Sequence, residues 1–276
     1  MLSDIAKVSK CGYYKWLKYS DEPEKDQEDY LLVEDVFRKG KSKLGFRSIK
    51  MNLARDKQVI MNHKKIIRIM SKYQLFCKIR RRNPYKDIMK KSLEHRTFEN
   101  KLDRKFKQNI PFKIFCTDIT YLPFNHRMAY LSAIKDIASG EIVGWKLSMH
   151  LQMDIVLGTL ENLRNGLGGV LSSFKDILIH SDQGVHYTNP EYISAVKDLG
   201  MNQSMSGKGN CIDNAPMESF FGHFKDDVDY KKCKTFEELH LLIEEYVKYY
   251  NHERYQWEHK KMTPVEYRNH LLEFAR

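Results

Sequence analysis

Three carboxylates sit where a soluble chain does not ordinarily place them. Asp118 lies inside the apolar run Phe112-Lys-Ile-Phe-Cys-Thr-Asp-Ile-Thr-Tyr-Leu-Pro-Phe124. Asp182 ends a second run, Ile177-Leu-Ile-His-Ser-Asp-Gln-Gly184. Glu218 opens the helical stretch Asn214 to Lys225, with 35 residues between it and Asp182. An ionised carboxylate taken out of water without a partner is very costly, so it neutralises, pairs or holds a cation. Three that converge repel one another unless cations lie between them. Oxygen donors of this kind suit Mg²⁺ or Mn²⁺. A pair of such ions can activate one oxygen and stabilise another in a phosphoryl displacement.

Each of these residues also has a plainer reading. Alone, Glu218 is a first-turn acid, favourable at a helix N-terminus. Asp136 also ends an apolar strand, but its expected role is in the turn before Gly140, since Asp side chains bond nearby backbone amides. Asp213 and Asn214 are expected to cap the helix that carries Glu218. His180 beside Ser181 and Asp182 superficially suggests a hydrolase triad. Adjacent strand residues point to opposite faces and no G-x-S-x-G turn exists, which argues against it. Gly207-Lys-Gly209 lacks the spacing of a nucleotide-binding P-loop and reads as a mobile loop rich in small residues.

The elements that must position these groups follow from periodicity and punctuation. Strands are predicted over Phe112–Pro123, Met128–Ile137 and Ile142–Met149, then Asp176–His180 and Met201–Met205. Helices are predicted over Met153–Asn165, ending at Gly166, and over Pro190–Leu199, closed by Gly200. The C-terminal third reads as helical, with Thr235 a cap and Glu238 at the capping-box position. Three meandering strands followed by alternating helix and strand predict a mixed sheet covered on both faces.

Upstream, a short helix is expected over residues 1–20. Another spans Glu28–Lys39, with Leu31, Leu32, Val36 and Phe37 at core spacing. Ser48–Arg55 carries Ile49, Met51 and Leu53 inward. Asn62 caps His63–Lys72, whose apolar residues are Ile66, Ile67, Ile69 and Met70. A helix pair in a basic block suggests a helix-turn-helix. Residues 95–109 read as a polar, partly helical connection.

The net charge of +11 is unevenly placed. Residues 38–91 hold 19 Lys or Arg against two acids, Asp56 and Asp87, so the block carries +17 and the remainder −6. Such clustering points to a polyanion, above all nucleic acid, in preference to a merely solvated basic face. The cysteines at 11, 77, 116, 211 and 233 are scattered, with no C-x-x-C pair, so neither a disulfide framework nor structural zinc is expected. Cys116 reads as a small buried residue of a core strand. No run of 18 apolar residues and no signal-peptide core is present, which predicts a cytoplasmic protein with no membrane partner.

Several stretches together carry a resemblance. They are Thr117-Asp-Ile-Thr-Tyr121, Ile142-Val-Gly-Trp145, His180-Ser-Asp-Gln-Gly184, Tyr187-Thr188, Ser204-Met-Ser206 and Lys208-Gly-Asn-Cys211. Asp213-Asn-Ala-Pro-Met-Glu-Ser-Phe-Phe221, Tyr250-Asn251, Arg254 and Thr263-Pro-Val-Glu-Tyr-Arg268 follow, and Gly12-Tyr-Tyr-Lys-Trp-Leu17 lies near the N-terminus. In order and spacing the chain resembles insertion-sequence transposases of the OrfB type, the large family conventionally numbered three, over nearly its whole length. The resemblance implies an α/β fold. A ribonuclease-H-like mixed five-stranded sheet flanked by helices would carry a retroviral-integrase-like core, with a small all-α helix-turn-helix-like N-terminal domain and a helical C-terminal region. The expected segments are 1–27, a basic DNA-binding domain 28–92, a linker 93–109, the catalytic core 110–230 and a helical extension 231–276.

The family's D-D-E triad maps onto Asp118, Asp182 and Glu218, as catalytic residues and ligands of two Mg²⁺ or Mn²⁺ ions. The basic residue seven positions after the Glu maps onto Lys225, which returns to nearly the same helix face. Met217, Phe220, Phe221, Phe224 and Val228 form the neighbouring apolar stripe. Further DNA contacts are expected from Lys208, Arg47, Lys64, Lys65, Arg68 and Arg80-Arg81-Arg82. No zinc and no nucleotide is implied.

The activity implied is end nicking followed by strand transfer in transposition, by a homo-oligomer on DNA, with a circular element intermediate. Related elements often make the active protein by frameshift fusion to an upstream frame bearing a leucine zipper; no heptad seam of that length occurs here. Two rivals share the same residues: a catalytically silent DNA-binding regulator, and a nuclease that cleaves without joining.

Overall fold

The structure, a computed structural model, describes residues 9–19, 26–77, 97–207 and 211–274; the chain divides into two units, residues 1–77 and 78–276.

The first unit is helical. α1 (Lys10–Tyr19) runs through the Gly12–Leu17 motif, and α2 (Gln27–Lys39), α3 (Phe46–Asp56) and α4 (His63–Lys72) follow. The last three share one core of Val33, Val36, Phe37, Ile49, Leu53, Met61, Ile66 and Ile69. Asn62 caps α4 as expected, its Oδ1 accepting from the Lys64 N–H at 2.9 Å. Two core expectations fail. Leu31 is 54% exposed and Ile67 44% exposed. The i, i+3, i+4 set Val33-Val36-Phe37 fixes the inward face of α2, and Ile66 with Ile69 fixes that of α4; a neighbour outside such a set is rotated toward water.

The second unit is built on a five-stranded sheet. β1 (Ile114–Phe124), β2 (Arg127–Asp136) and β3 (Ile142–Ser148) form an antiparallel meander. β4 (Leu178–Ser181) adds parallel to β1, and β5 (Asn202–Met205) parallel to β4, giving the order β3-β2-β1-β4-β5. Asn125 and His126, both with positive φ, make the tight turn of the first hairpin. Asp136 serves the next turn as expected. Its carboxylate accepts from the backbone N–H groups of Phe112 and Ser139 at 2.9 Å each and from the Ser139 hydroxyl at 2.6 Å.

Alternation along the strands sorts side chains to two faces. Phe115, Ile134 and Ile179 face the layer of α5 (Met153–Leu167) and α6 (Pro190–Asp198). Cys116, Leu122, Phe124 and Leu131 face the layer of α7 (Ala215–Asp227) and α8 (Phe236–His252). The stripe Met217, Phe220, Phe221, Phe224 and Val228 is buried there. α6 closes at Gly200, whose φ of 80° suits glycine.

Thr235 caps α8, accepting from the Glu238 N–H at 3.1 Å. A second capping pair, Thr263 and Glu266, bonds reciprocally at the start of α9 (Pro264–Phe274). The stretch 97–109 is not helical. Asp103 and Arg104 adopt positive φ, and the segment packs by burying Leu102. Among the described residues, no helix is long and apolar enough to cross a membrane.

Candidate active site

β1 and β4 place the two aspartates. The last bridge between these strands pairs Cys116 with His180, and Asp118 and Asp182 each follow by two residues. A step of two preserves the face. Asp118 therefore points, like Cys116, toward the α7 layer, and Asp182, just past the end of β4, continues the face of Leu178 and His180. Both carboxylates are partly buried. One oxygen of each is held locally, Asp118 Oδ1 by the Ile119 N–H at 2.8 Å and Asp182 Oδ1 by the Gly184 N–H at 2.9 Å.

Their shared field reaches two tyrosines. Burial raises the Tyr187 hydroxyl pKa well above its ordinary value, and Asp118 and Asp182 add to the rise. Burial also raises that of Tyr121, with Tyr130, Asp182 and Asp118 contributing.

Glu218 stands exposed in the first turn of α7. Two long-range bonds fix the start of that helix. Asn214 Nδ2 donates to the Thr117 carbonyl at 3.1 Å, and Lys135 Nζ reaches the Pro216 carbonyl at 3.4 Å. The expected capping by Asp213 and Asn214 is therefore corrected, since Asn214 makes no side-chain cap bond. Asp213 instead accepts from Arg104 Nε at 2.7 Å, Asn100 Nδ2 at 3.1 Å and the Gly207 N–H at 3.0 Å. Burial pushes the Asp213 carboxyl upward, but Arg104 and the Gly207 N–H prevail and hold it below the usual range. The aspartates thus share a face on neighbouring strands, with the Glu218 helix pinned alongside. Among the described residues, no three His, Cys, Asp or Glu side chains are placed to hold one metal ion together. In kind, three carboxylates on one side of the sheet match the hard oxygen ligands of Mg²⁺.

His180 is not part of a hydrolase triad. Its Nδ1 lies 2.9 Å from Ser204 Oγ and its Nε2 3.2 Å from Ser206 Oγ. Ser204 Oγ already accepts from the Lys101 N–H, and Ser206 donates to the Ser181 carbonyl. The network therefore assigns a neutral ring protonated at Nε2. Burial lowers its pKa to about 4.

Of the expected DNA contacts, Lys225 is partly buried on α7, two turns past Glu218. Lys64 and Arg47 are exposed, Arg47 lying over the Phe46 ring at 5.7 Å. Arg68 grips both oxygens of Asp26 at 2.6 Å each, and Lys65 pairs with Asp29. Lys208 and Arg80-Arg81-Arg82 lie outside the described residues. Sequence reasoning missed Arg104, Lys135 and the anchoring bond of Asn214. Their partners are remote in sequence, and no spacing signal marks them.

A mixed sheet in this strand order, with acidic groups leaving its two adjacent central strands, defines a ribonuclease-H-like core of the polynucleotidyl transferase type. Integrase core domain families match residues 108–211 and 218–272, and an HTH-like domain family matches 24–83. The protein named as the InsK transposase of insertion sequence element IS150 from Escherichia coli K12 is 32% identical, over 96% of this chain and 91% of its own length. A transposase-like protein of Haemophilus influenzae is 38% identical over 77% of this chain and 95% of its own. The transposase of element IS904 from Lactococcus lactis is 30% identical over 78% and 84%. Among solved structures, the HTLV-2 integrase catalytic core domain in complex with magnesium aligns at 14% identity and a TM-score of 0.46, covering 58% of this chain and 97% of that one. The chain belongs to the insertion-sequence transposases with an integrase-type core.

Proposed function

We propose that the chain nicks the ends of an insertion sequence and joins them to DNA, with Asp118, Asp182 and Glu218 as the carboxylates that hold its divalent cations. The observation that carries this reading is the register: Asp118 and Asp182 leave neighbouring strands on one face, and the helix bearing Glu218 is fixed to the peptide before Asp118. Two Mg²⁺ or Mn²⁺ ions, when bound, supply activation of the attacking oxygen and stabilisation of the leaving one.

The chain's own residues do the rest. Asp118 and Asp182 present hard oxygens from a rigid sheet. Glu218 adds a third from a helix start. Lys225, near the same helix face, meets a DNA phosphate. In the first unit Lys64 and Arg47 supply phosphate contacts, and Arg80, Arg81, Arg82 and Lys208 are further phosphate-binding cations of the scheme. Such contacts are largely sequence-neutral and sensitive to salt. Synapsis of two ends calls for a homo-oligomer on DNA, and an upstream-frame fusion partner fits the same scheme. The site of action is the nucleoid.

The test is an in-cell assay for circle junctions, with the element and its upstream frame present. Junctions with the natural chain and none with Glu218→Gln support the reading. Equal junctions in both sink the role of Glu218. Cleaved but unjoined ends favour the nuclease.

A further inference from the structure

The opening between β1 and β4, beside Asp118 and just before Asp182, is filled by a side chain from another element. Along β1, the Lys113 carbonyl accepts from the Leu178 N–H on the β4 side at 3.0 Å, while the Ile114 carbonyl accepts from the Ile137 N–H, on the β2 side, at 3.0 Å. Carbonyls alternate along a strand, so Thr117 directs its own toward β4. The β1–β4 ladder ends one residue earlier, at Cys116 and His180. Asn214 takes the vacated place, its Nδ2 donating to the Thr117 carbonyl at 3.1 Å.

This amide is 4% exposed, and among the described residues its Oδ1 has no hydrogen-bond partner. A buried acceptor left unpaired is destabilising and calls for an explanation beyond packing. Asn214 also stands at the N-cap position of α7, yet makes no cap bond there. The local bond has been given up for one to the peptide that joins Thr117 to Asp118. Glu218 lies four residues on, in the first turn of the helix that starts at this anchor. Asp213, held by Arg104, Asn100 and Gly207, fixes the backbone immediately before the anchor.

We propose that Asn214 is a positioning residue of the carboxylate site, which sets the placement of Glu218 against Asp118 and so the affinity for cation. The proposal rests on the reading of Asp118, Asp182 and Glu218 as cation ligands.

The test is the affinity of the full chain for Mn²⁺, read from the paramagnetic resonance signal of the free ion. The chains compared are the natural sequence, Asn214→Asp, Asn214→Ala, Glu218→Gln, and each Asn214 variant combined with Glu218→Gln. Asn214→Asp keeps shape and N-cap preference but sets an oxygen against the Thr117 carbonyl. Each Asn214 variant is expected to weaken binding by at least about tenfold, the scale of outer-shell effects on metal affinity. Neither is expected to weaken it further in a chain already carrying Glu218→Gln. Unchanged or tighter binding in the Asn214 variants, or losses that add in full to that of Glu218→Gln, overturns the positioning role. So does loss of the folded circular-dichroism spectrum in Asn214→Asp, which would make the residue a structural one. Binding unaffected by Glu218→Gln overturns instead the site reading beneath the proposal.

Discussion

Asp118 within β1 and Asp182 just past β4 stand at matching distance from the last bridge of these parallel strands, so two like charges share one face of the sheet. Neighbouring strands lie about 4.8 Å apart, which keeps these carboxylates within mutual repulsion. Without cations, Asp118→Asn or Asp182→Asn is expected to raise the melting temperature, by an amount equivalent to on the order of 1 kcal/mol. With Mg²⁺ the order reverses, because the natural chain gains stability from binding and the variants gain less. Thermal melts in chelator and in excess Mg²⁺ check both halves. Variants that melt lower in chelator would show that the aspartates are structural.

His180 ties stability to pH. Its folded pKa of about 4 lies below the ordinary 6.5, and burial also lowers His223 and His259 to about 4. Between these values the unfolded chain binds protons that the folded chain does not. Stability from the neutral rings is therefore complete above pH 6.5 and is lost as pH falls toward 4. Melts across this window should show a falling midpoint, with a shallower slope in His180→Gln. A slope unaltered by that change would remove His180 from the account.

The Arg104–Asp213 pair should behave as a half-exposed clamp on a buried acid. The Asp213 side chain is 3% exposed and that of Arg104 49%. Arg104→Ala leaves the carboxylate with Asn100 and the Gly207 N–H, and is expected to destabilise the chain by about 1–3 kcal/mol. Adding Asp213→Asn removes the stranded charge, so the double variant should lose less than the sum of the singles. Denaturant melts of the four chains measure the coupling; strict additivity would mean that the pair contributes nothing as a pair.

How much of this could be read from sequence depends on the range of the forces involved. Strand alternation, the Asn62 and Thr235 caps, the Gly200 stop and the Asp136 turn are local. Residues within a few positions decide them, and the structure agrees. The placement of Asp118 within a strand and of Asp182 just past one is legible for the same reason. The anchor of Asn214 on Thr117 spans 97 residues and the Arg104–Asp213 pair 109. Local rules assign Asn214 and Asp213 to capping because they contain no term for a partner that far away. Leu31 and Ile67 fail differently. Both are apolar beside a correctly read stripe, and only the packing of α2 and α4 fixes which face is inward.

The first unit separates two kinds of cation that charge counting treats alike. Arg68 is bound to Asp26 by a two-pronged bridge, which holds that carboxyl at about 2, below its ordinary 3.8. The stabilisation is present above the ordinary value and is lost as pH falls toward 2. Lys64, one turn earlier on the same helix, is exposed. Lys64→Ala should therefore weaken DNA binding evenly across sequences and reduce the salt slope by about one unit, with little effect on melting. Arg68→Ala should instead lower the melting temperature of the first unit near neutral pH and flatten its acid dependence below pH 4. Binding titrations at several salt concentrations, beside melts from pH 7 to pH 2.5, distinguish the two. A salt slope that falls equally in both variants, with no loss of stability in Arg68→Ala, would return Arg68 to the phosphate-binding set and show the Asp26 bridge to be energetically idle.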